Sequence, residues 1–186
     1  MSTPASELTG TELAVGATTA VVPSRLDDLL RTDAAALGRL YAGARTPRVA
    51  DLTGDLRGRM LALVAAPRWL FWWVSLWART RSFPWLGKSF RPEAGAGPDA
   101  ARGTGINRVF NDRTRWFRFD TFIAPSRAGA FDAFQLDYDN ADNPFFIRAI
   151  KDEVRELRPG LFLGQAYLKT KKREILVLYF GLEQPV

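Results

Sequence analysis

Asp120, Tyr167, Tyr179 and Lys88 are the side chains of this 186-residue sequence best suited to moving a proton, because it contains neither histidine nor cysteine. That absence excludes a Ser-His-Asp or Cys-His nucleophile, a histidine-ligated haem and the usual His/Cys zinc sites. What remains is acid–base work by carboxylate, amine or phenol, which can polarise or deprotonate a carbonyl compound held in place. Arg118 and Asp120 are two residues apart and share one face of an expected strand, framed on that face by Trp116 and Phe122. Gln135 and Gln165 each sit among apolar residues on one face of a later strand, the second in line with Leu161, Leu163 and Tyr167. These faces have two readings. Either they are solvated outer surfaces, where lone charges usually lie, or they line a mostly apolar cavity in which Arg118, Gln135 and Gln165 orient a ligand.

The elements that must position these residues are mainly strands. Segments 57–64, 105–110, 115–123, 131–138, 161–169 and 174–183 are rich in aromatic or branched residues between turn signals. Leu26, Leu29, Leu30, Leu37, Leu40 and Tyr41 recur at helical spacing, predicting a helix over about 25–43, opened by a capping-box-like Ser24 and Asp27. Asn143 as cap and Pro144 at the first helical position predict a second helix, with Phe146, Ile150, Val154 and Leu157 on one face and Pro159-Gly160 ending it. Segment 91–101 reads as a Pro/Gly/Ala loop. Successive strands with few helices point to a mainly β (α+β) fold, an antiparallel curved sheet or small closed barrel with flanking helices. Residues 1–23 offer few large side chains to bury and are expected to be a disordered tail before a single barrel-like domain over 24–186.

Gly54-Asp55-Leu56-Arg57-Gly58, ahead of the first expected strand, resembles the G-x-W-x-G opening of the calycins, the lipocalins and fatty-acid-binding proteins, with Leu56 in place of tryptophan. The resemblance implies an antiparallel, lipocalin-like barrel with an interior cavity for an apolar small molecule.

Other motifs carry less. Gly87-Lys88-Ser89 ends like a phosphate-binding loop, but Ser82 stands where the earlier glycine belongs and Phe83-Pro84-Trp85-Leu86 is too bulky to wrap phosphates. Gly103-x-Gly105 lacks the third glycine of a dinucleotide fingerprint. Asp137, Asp139 and Asp142 could gather calcium, yet a turn feeding a helix explains them more simply. No metal and no cofactor is expected. The net charge of +6 concentrates in residues 57–118, where twelve Lys/Arg face three Asp/Glu. No nucleic-acid-binding motif accompanies it, so nucleic acid is not an expected partner.

Trp69, Trp72, Trp73 and Leu76 share one face of an Arg-flanked segment too short to span a bilayer. That face suits core packing, a wall or lid over a cavity, or contact with a membrane surface. Segment 13–22 lacks a positive region before it, so no signal peptide is expected, and the lack of cysteine leads to a cytoplasmic expectation. The reading is a barrel that binds a hydrophobic small molecule in an internal cavity, with Trp69, Trp72, Trp73, Trp116 and Phe122 as wall or lid. One alternative is a cofactor-independent cyclase or isomerase acting on a polyketide- or terpenoid-like substrate in the same cavity. Another is a peripheral membrane protein held by the Trp-rich helix.

Overall fold

A computed structural model of the chain describes residues 23–65, 85–95, 101–110 and 114–185. Eight strands follow one another around a closed antiparallel barrel: β1 (Gly54–Leu63), β2 (Trp85–Pro92), β3 (Arg102–Val109), β4 (Arg115–Pro125), β5 (Asp132–Asp137), β6 (Ile150–Arg158), β7 (Leu161–Lys169) and β8 (Glu174–Glu183). Each strand pairs with its sequence neighbour, and β8 closes on β1 through pairs such as Gly58 with Leu182. Closure leaves the sheet without a terminal strand.

Alternation along the strands sets two apolar layers. Inward side chains of β1, β2, β4, β5, β7 and β8 build the interior core, which includes Leu56, Phe90, Phe119, Phe134, Phe162 and Leu182. A 3-10 turn, Val49–Asp51, brings Val49 and Leu52 onto that core at the end where β1 begins. The second layer lies outside the barrel. There Leu26 and Leu29 of a 3-10 segment (Leu26–Arg31), with Leu37 and Tyr41 of α1 (Ala34–Gly43), cover Leu61, Leu161, Leu163 and Tyr179. The outer face of β1 carries Arg57 and Arg59, which pair with Asp27 of the 3-10 segment, and that of β2 to β4 carries Arg91, Arg102 and Arg118. An apolar interior with a charged exterior reverses the alternation of membrane-spanning barrels.

The helix expected over 25–43 is split. Asp28, not Asp27, accepts from Ser24 Oγ and Arg25 N, each at 2.9 Å. Asp33 then caps α1 by accepting from Ala36 N at 2.7 Å, because Thr32 and Asp33 turn the chain out of helical geometry. Strand β2 occupies sequence read partly as a loop, and β1 begins at Gly54, ahead of the expected residue 57.

The largest correction concerns the helix expected after Pro144. Only one turn, α2 (Phe145–Arg148), forms, and the chain then becomes β6. Residues 150–158 combine helix-favouring Lys, Glu and Arg with apolar residues at helical spacing. The same residues also alternate, with Ile150, Asp152 and Val154 inward and Lys151, Glu153 and Arg155 outward. A strand there pairs on both sides, with β5 and β7, and that gain overrides local propensity. The acidic loop before α2 forms side-chain-stabilised turns: Asp137 accepts from Asp139 N at 2.9 Å and Asn140 from Asp142 N at 3.0 Å. Asp137 also pairs with Lys151, and Asp139 with Arg148.

Candidate functional site

The half of the barrel where β1 ends and β2 begins is not filled. A cavity of about 260 Å³ lies there, its apolar wall including Met60, Val109, Phe117, Ile150, Leu178 and Phe180. Lys88, Asn107, Tyr138 and Asp152 contribute to its lining from four different strands or strand ends.

Two β-bulges bring these groups together. In regular β2, Trp85 and Lys88 would face opposite sides, but the register with β3 shifts between Trp85 and Gly87, so both point inward. Gly87 adopts φ +137, and a Cβ there would lie 2.0 Å from the Leu56 carbonyl oxygen. In β4 the register shifts opposite Ile106 and Asn107, leaving Phe117 as the extra residue at φ 58. The Phe117 carbonyl accepts from Asn107 Nδ2 at 3.3 Å.

Lys88 is 3% exposed and donates to Asn107 Oδ1 at 2.9 Å, Tyr138 Oη at 2.5 Å and Asp152 Oδ2 at 3.0 Å. Asn107 Oδ1 also accepts from Trp85 Nε1 at 3.0 Å, and its Nδ2 donates to Tyr138 Oη at 3.2 Å. Tyr138 in turn donates to Asp152 Oδ2 at 3.2 Å. The rings of Trp85, Phe119 and Phe180 surround Lys88 Nζ with centroids 5.1 to 5.5 Å away. Desolvated cation–π contacts of this kind contribute up to about 2 kcal/mol. Inward glycines make the rings' placement possible: the Phe119 ring lies over Gly105, and the Phe180 ring over Gly164, where a Cβ would meet ring atoms at 2.2 Å.

Burial pushes the Lys88 ammonium below its ordinary pKa, and the Asp152 carboxylate opposes that shift by attraction and by its hydrogen bond. Burial holds the Tyr138 phenol well above its ordinary value, reinforced by the negative charge of Asp152. All three lysine protons are committed, as are both Asn107 amide protons and the Tyr138 hydroxyl. Asp152 Oδ1 has no hydrogen-bond partner, although Asp152 is only 4% exposed. It is the acceptor left over in an otherwise satisfied network.

Of the residues singled out in the sequence, Lys88 reaches this cavity. Gln135, Gln165, Tyr167 and Tyr179 are buried but project from the barrel's outer face. There Glu153 accepts from Tyr41 Oη at 3.0 Å, Ser126 Oγ at 2.7 Å and Arg127 N at 3.0 Å, with Gln135 Nε2 at 3.5 Å. Tyr167 Oη donates to Gln165 Oε1 at 2.6 Å. This polar layer fastens α1 to the sheet. Trp116, Arg118 and Asp120 lie on the exposed outer face of β4, and Phe122 is partly covered there with Arg102 5.9 Å from its ring centroid. The inward residues of β4 are Phe117, Phe119 and Thr121, so the alternative of an inward Arg118–Asp120 face is excluded. Asp120→Ala should accordingly cost under about 1 kcal/mol in a urea melt, and a loss above about 3 kcal/mol would contradict the exposed placement. Trp69, Trp72 and Trp73 lie outside the described residues. Asn107, Tyr138 and Asp152 escaped the sequence reading. The only signal for them was one polar residue on an otherwise apolar alternating face, as Asn107 between Gly105 and Val109 or Asp152 between Ile150 and Val154, and residues 150–157 also fit a helical face.

No family model, curated protein or solved structure matches the chain. The fold therefore defines the class by itself: a closed, eight-stranded antiparallel β-barrel with flanking helices, able to hold a ligand and compatible with a calycin-like plan. Leu56, which stands in the tryptophan position of the resembling motif, is fully buried in the barrel core. No helix among the described residues is long and apolar enough to cross a membrane.

Proposed function

We propose that the barrel binds a compact, neutral, apolar molecule carrying one hydrogen-bond donor, an alcohol, phenol or amide. Its body packs among Met60, Val109, Phe117 and Leu178, and its donor meets Asp152. The observation that carries this reading is that Asp152, which lines an apolar cavity, has an unpartnered Oδ1 in a network whose donors are all committed. An anionic ligand would face the Asp152 carboxylate and a cationic one the Lys88 ammonium, so both are disfavoured. The volume lies a little below the roughly 300–1,000 Å³ of ordinary small-molecule sites, which favours a small ligand.

Thermal shift and titration with 2-naphthol, 2-methoxynaphthalene and 2-naphthoate test the reading. 2-Naphthol should raise Tm, by about 2.7 kcal/mol of stability at a hundred times its Kd. The methoxy compound, which lacks the donor, should bind about tenfold more weakly or worse, and the carboxylate should not bind. Ala166→Phe, which fills the cavity from β7, should abolish the 2-naphthol response. Equal binding of naphthol and its methyl ether removes the donor assignment. No response to any of the three removes the cavity reading.

A second reading, acid–base turnover of a carbonyl compound by cyclisation or isomerisation in the same cavity, is favoured by one observation. Burial lowers the Lys88 pKa, making its amine easier to deprotonate than a lysine in water, beside a phenol able to relay the proton.

A further inference from the structure

The exposed large apolar side chains of the described residues are unevenly distributed. Phe110, Trp116, Phe145, Phe146, Val64 and Leu168 all lie at the end of the barrel that holds the cavity, and only Ile123 lies elsewhere. The connections explain the placement: β1 and β3 end there, β4 begins there, and α2 bridges β5 to β6 across it. Ile147 of α2 turns inward to the cavity, which leaves Phe145 85% and Phe146 57% exposed. Phe110 and Trp116 are 60% and 46% exposed, stacked edge to face at 5.2 Å.

The same end is basic. The turn between β7 and β8 presents Lys169, Lys171, Lys172 and Arg173, all exposed, and it is held in shape by Thr170, whose Oγ1 donates to the Arg173 carbonyl at 2.6 Å. Three nearby acids are already engaged: Asp137 with Lys151, Asp139 with Arg148 at 2.7 Å, and Glu174 with Arg127 at 2.5 Å. Among the described residues Lys171, Lys172 and Arg173 form no ion pair, while Asp139 lies close enough to Lys169 to feel its charge and Asp142 is exposed on the loop between β5 and β6.

We propose that this end of the barrel docks on an anionic lipid bilayer. Exposed aromatic rings gain most at the headgroup level, where an apolar face meets hydrocarbon while the polar parts stay wet. A cluster of lysines beside them adds attraction to anionic lipid. A protein partner would be expected to bury one contiguous apolar patch, whereas here the rings are spread around a rim with cations beside them. Docking sets Met60, Val109 and Ile150 of the cavity next to the bilayer, giving an apolar ligand a path that avoids water. The docking surface holds whether or not the cavity is loaded, so it stands apart from the ligand reading.

Sedimentation of the full chain with phosphatidylcholine vesicles, with and without phosphatidylserine, is the test. The wild type should bind the anionic vesicles at least about tenfold more tightly than the neutral ones, and added salt should weaken the binding. Phe145→Ser with Phe146→Ser, and separately Lys171→Glu, Lys172→Glu and Arg173→Glu together, should each weaken binding about tenfold or more. These residues are exposed, so Tm should stay within a few degrees and confirm that both variants fold. Equal binding to the two vesicle types, unchanged binding in both variants, or capture by a single-stranded oligonucleotide without vesicle binding would each overturn the proposal.

Discussion

Asp152→Ala lowers the stability of the barrel by about 3–5 kcal/mol, the loss expected when one member of a buried ion pair is removed and the other stays behind. Lys88 and Asp152 are 3% and 4% exposed, with Nζ and Oδ2 3.0 Å apart. Without the carboxylate, the ammonium keeps Asn107 and Tyr138 as neutral acceptors but loses the charge that offsets its desolvation. Tyr138 loses the acceptor for its hydroxyl at the same time. Lys88→Met should be comparably damaging, because it leaves Asp152 charged and dry. The double variant Lys88→Met with Asp152→Leu should recover most of the loss, since a buried pair replaced by apolar groups is often neutral or stabilising. It should also lose the response to 2-naphthol. Urea melts of the three variants decide the matter: a loss under about 1 kcal/mol in either single variant would mean that the pair is hydrated.

Gly87→Ala should be at least as disruptive, although it adds a single methyl group. The positive φ alone costs an L residue about 1–3 kcal/mol. The added Cβ must also escape the Leu56 carbonyl oxygen at 2.0 Å and Gly58 N at 2.7 Å, both backbone atoms of β1 that cannot swing aside. Relief would require β1 and β2 to separate or the bulge to disappear. Losing the bulge would rotate Trp85 out of the interior and remove its hydrogen bond to Asn107. We expect a loss above about 3 kcal/mol, or no cooperative melt, with tryptophan fluorescence shifted towards that of exposed indole. Gly43→Ala is the control. A Cβ there meets nothing within 4 Å, so that variant should melt within a few degrees of wild type. Near-wild-type stability of Gly87→Ala would show that the bulge is dispensable.

The strand succession was legible where residues alternate between turn signals, as in β7 (Leu161–Lys169) and β8 (Glu174–Glu183), whose observed bounds match the expected ones. It was not legible in β6, where the apolar residues fit a helical face and a strand face equally well. Nor was it legible in β2, whose residues 85–90 carry no strand pattern and whose last two, Arg91 and Pro92, fall in the expected loop over 91–101. Lys88 was named for its chemistry alone. Nothing in a linear reading brings it to Asp152, 64 residues away and on the opposite wall of the barrel.

Composition and local pattern by themselves settled that no histidine or cysteine chemistry occurs here, that the fold is mainly β, and that an amphipathic helical segment precedes the first strand. Those properties depend on residue type and on spacing within a few positions, which any reading of the chain contains. Which side of each strand faces inward was decided only by closure. Once eight strands meet edge to edge, one face of each becomes interior, and a single bulge reverses the parity of everything beyond it. That is why Arg118 and Asp120, which alternate with aromatics, ended outside, and why Gln135 and Gln165 were buried on the outer wall, the first beside Arg127 of the β4–β5 connection. It is also why one lysine, one aspartate, a tyrosine and an asparagine came to share the floor of an apolar cavity.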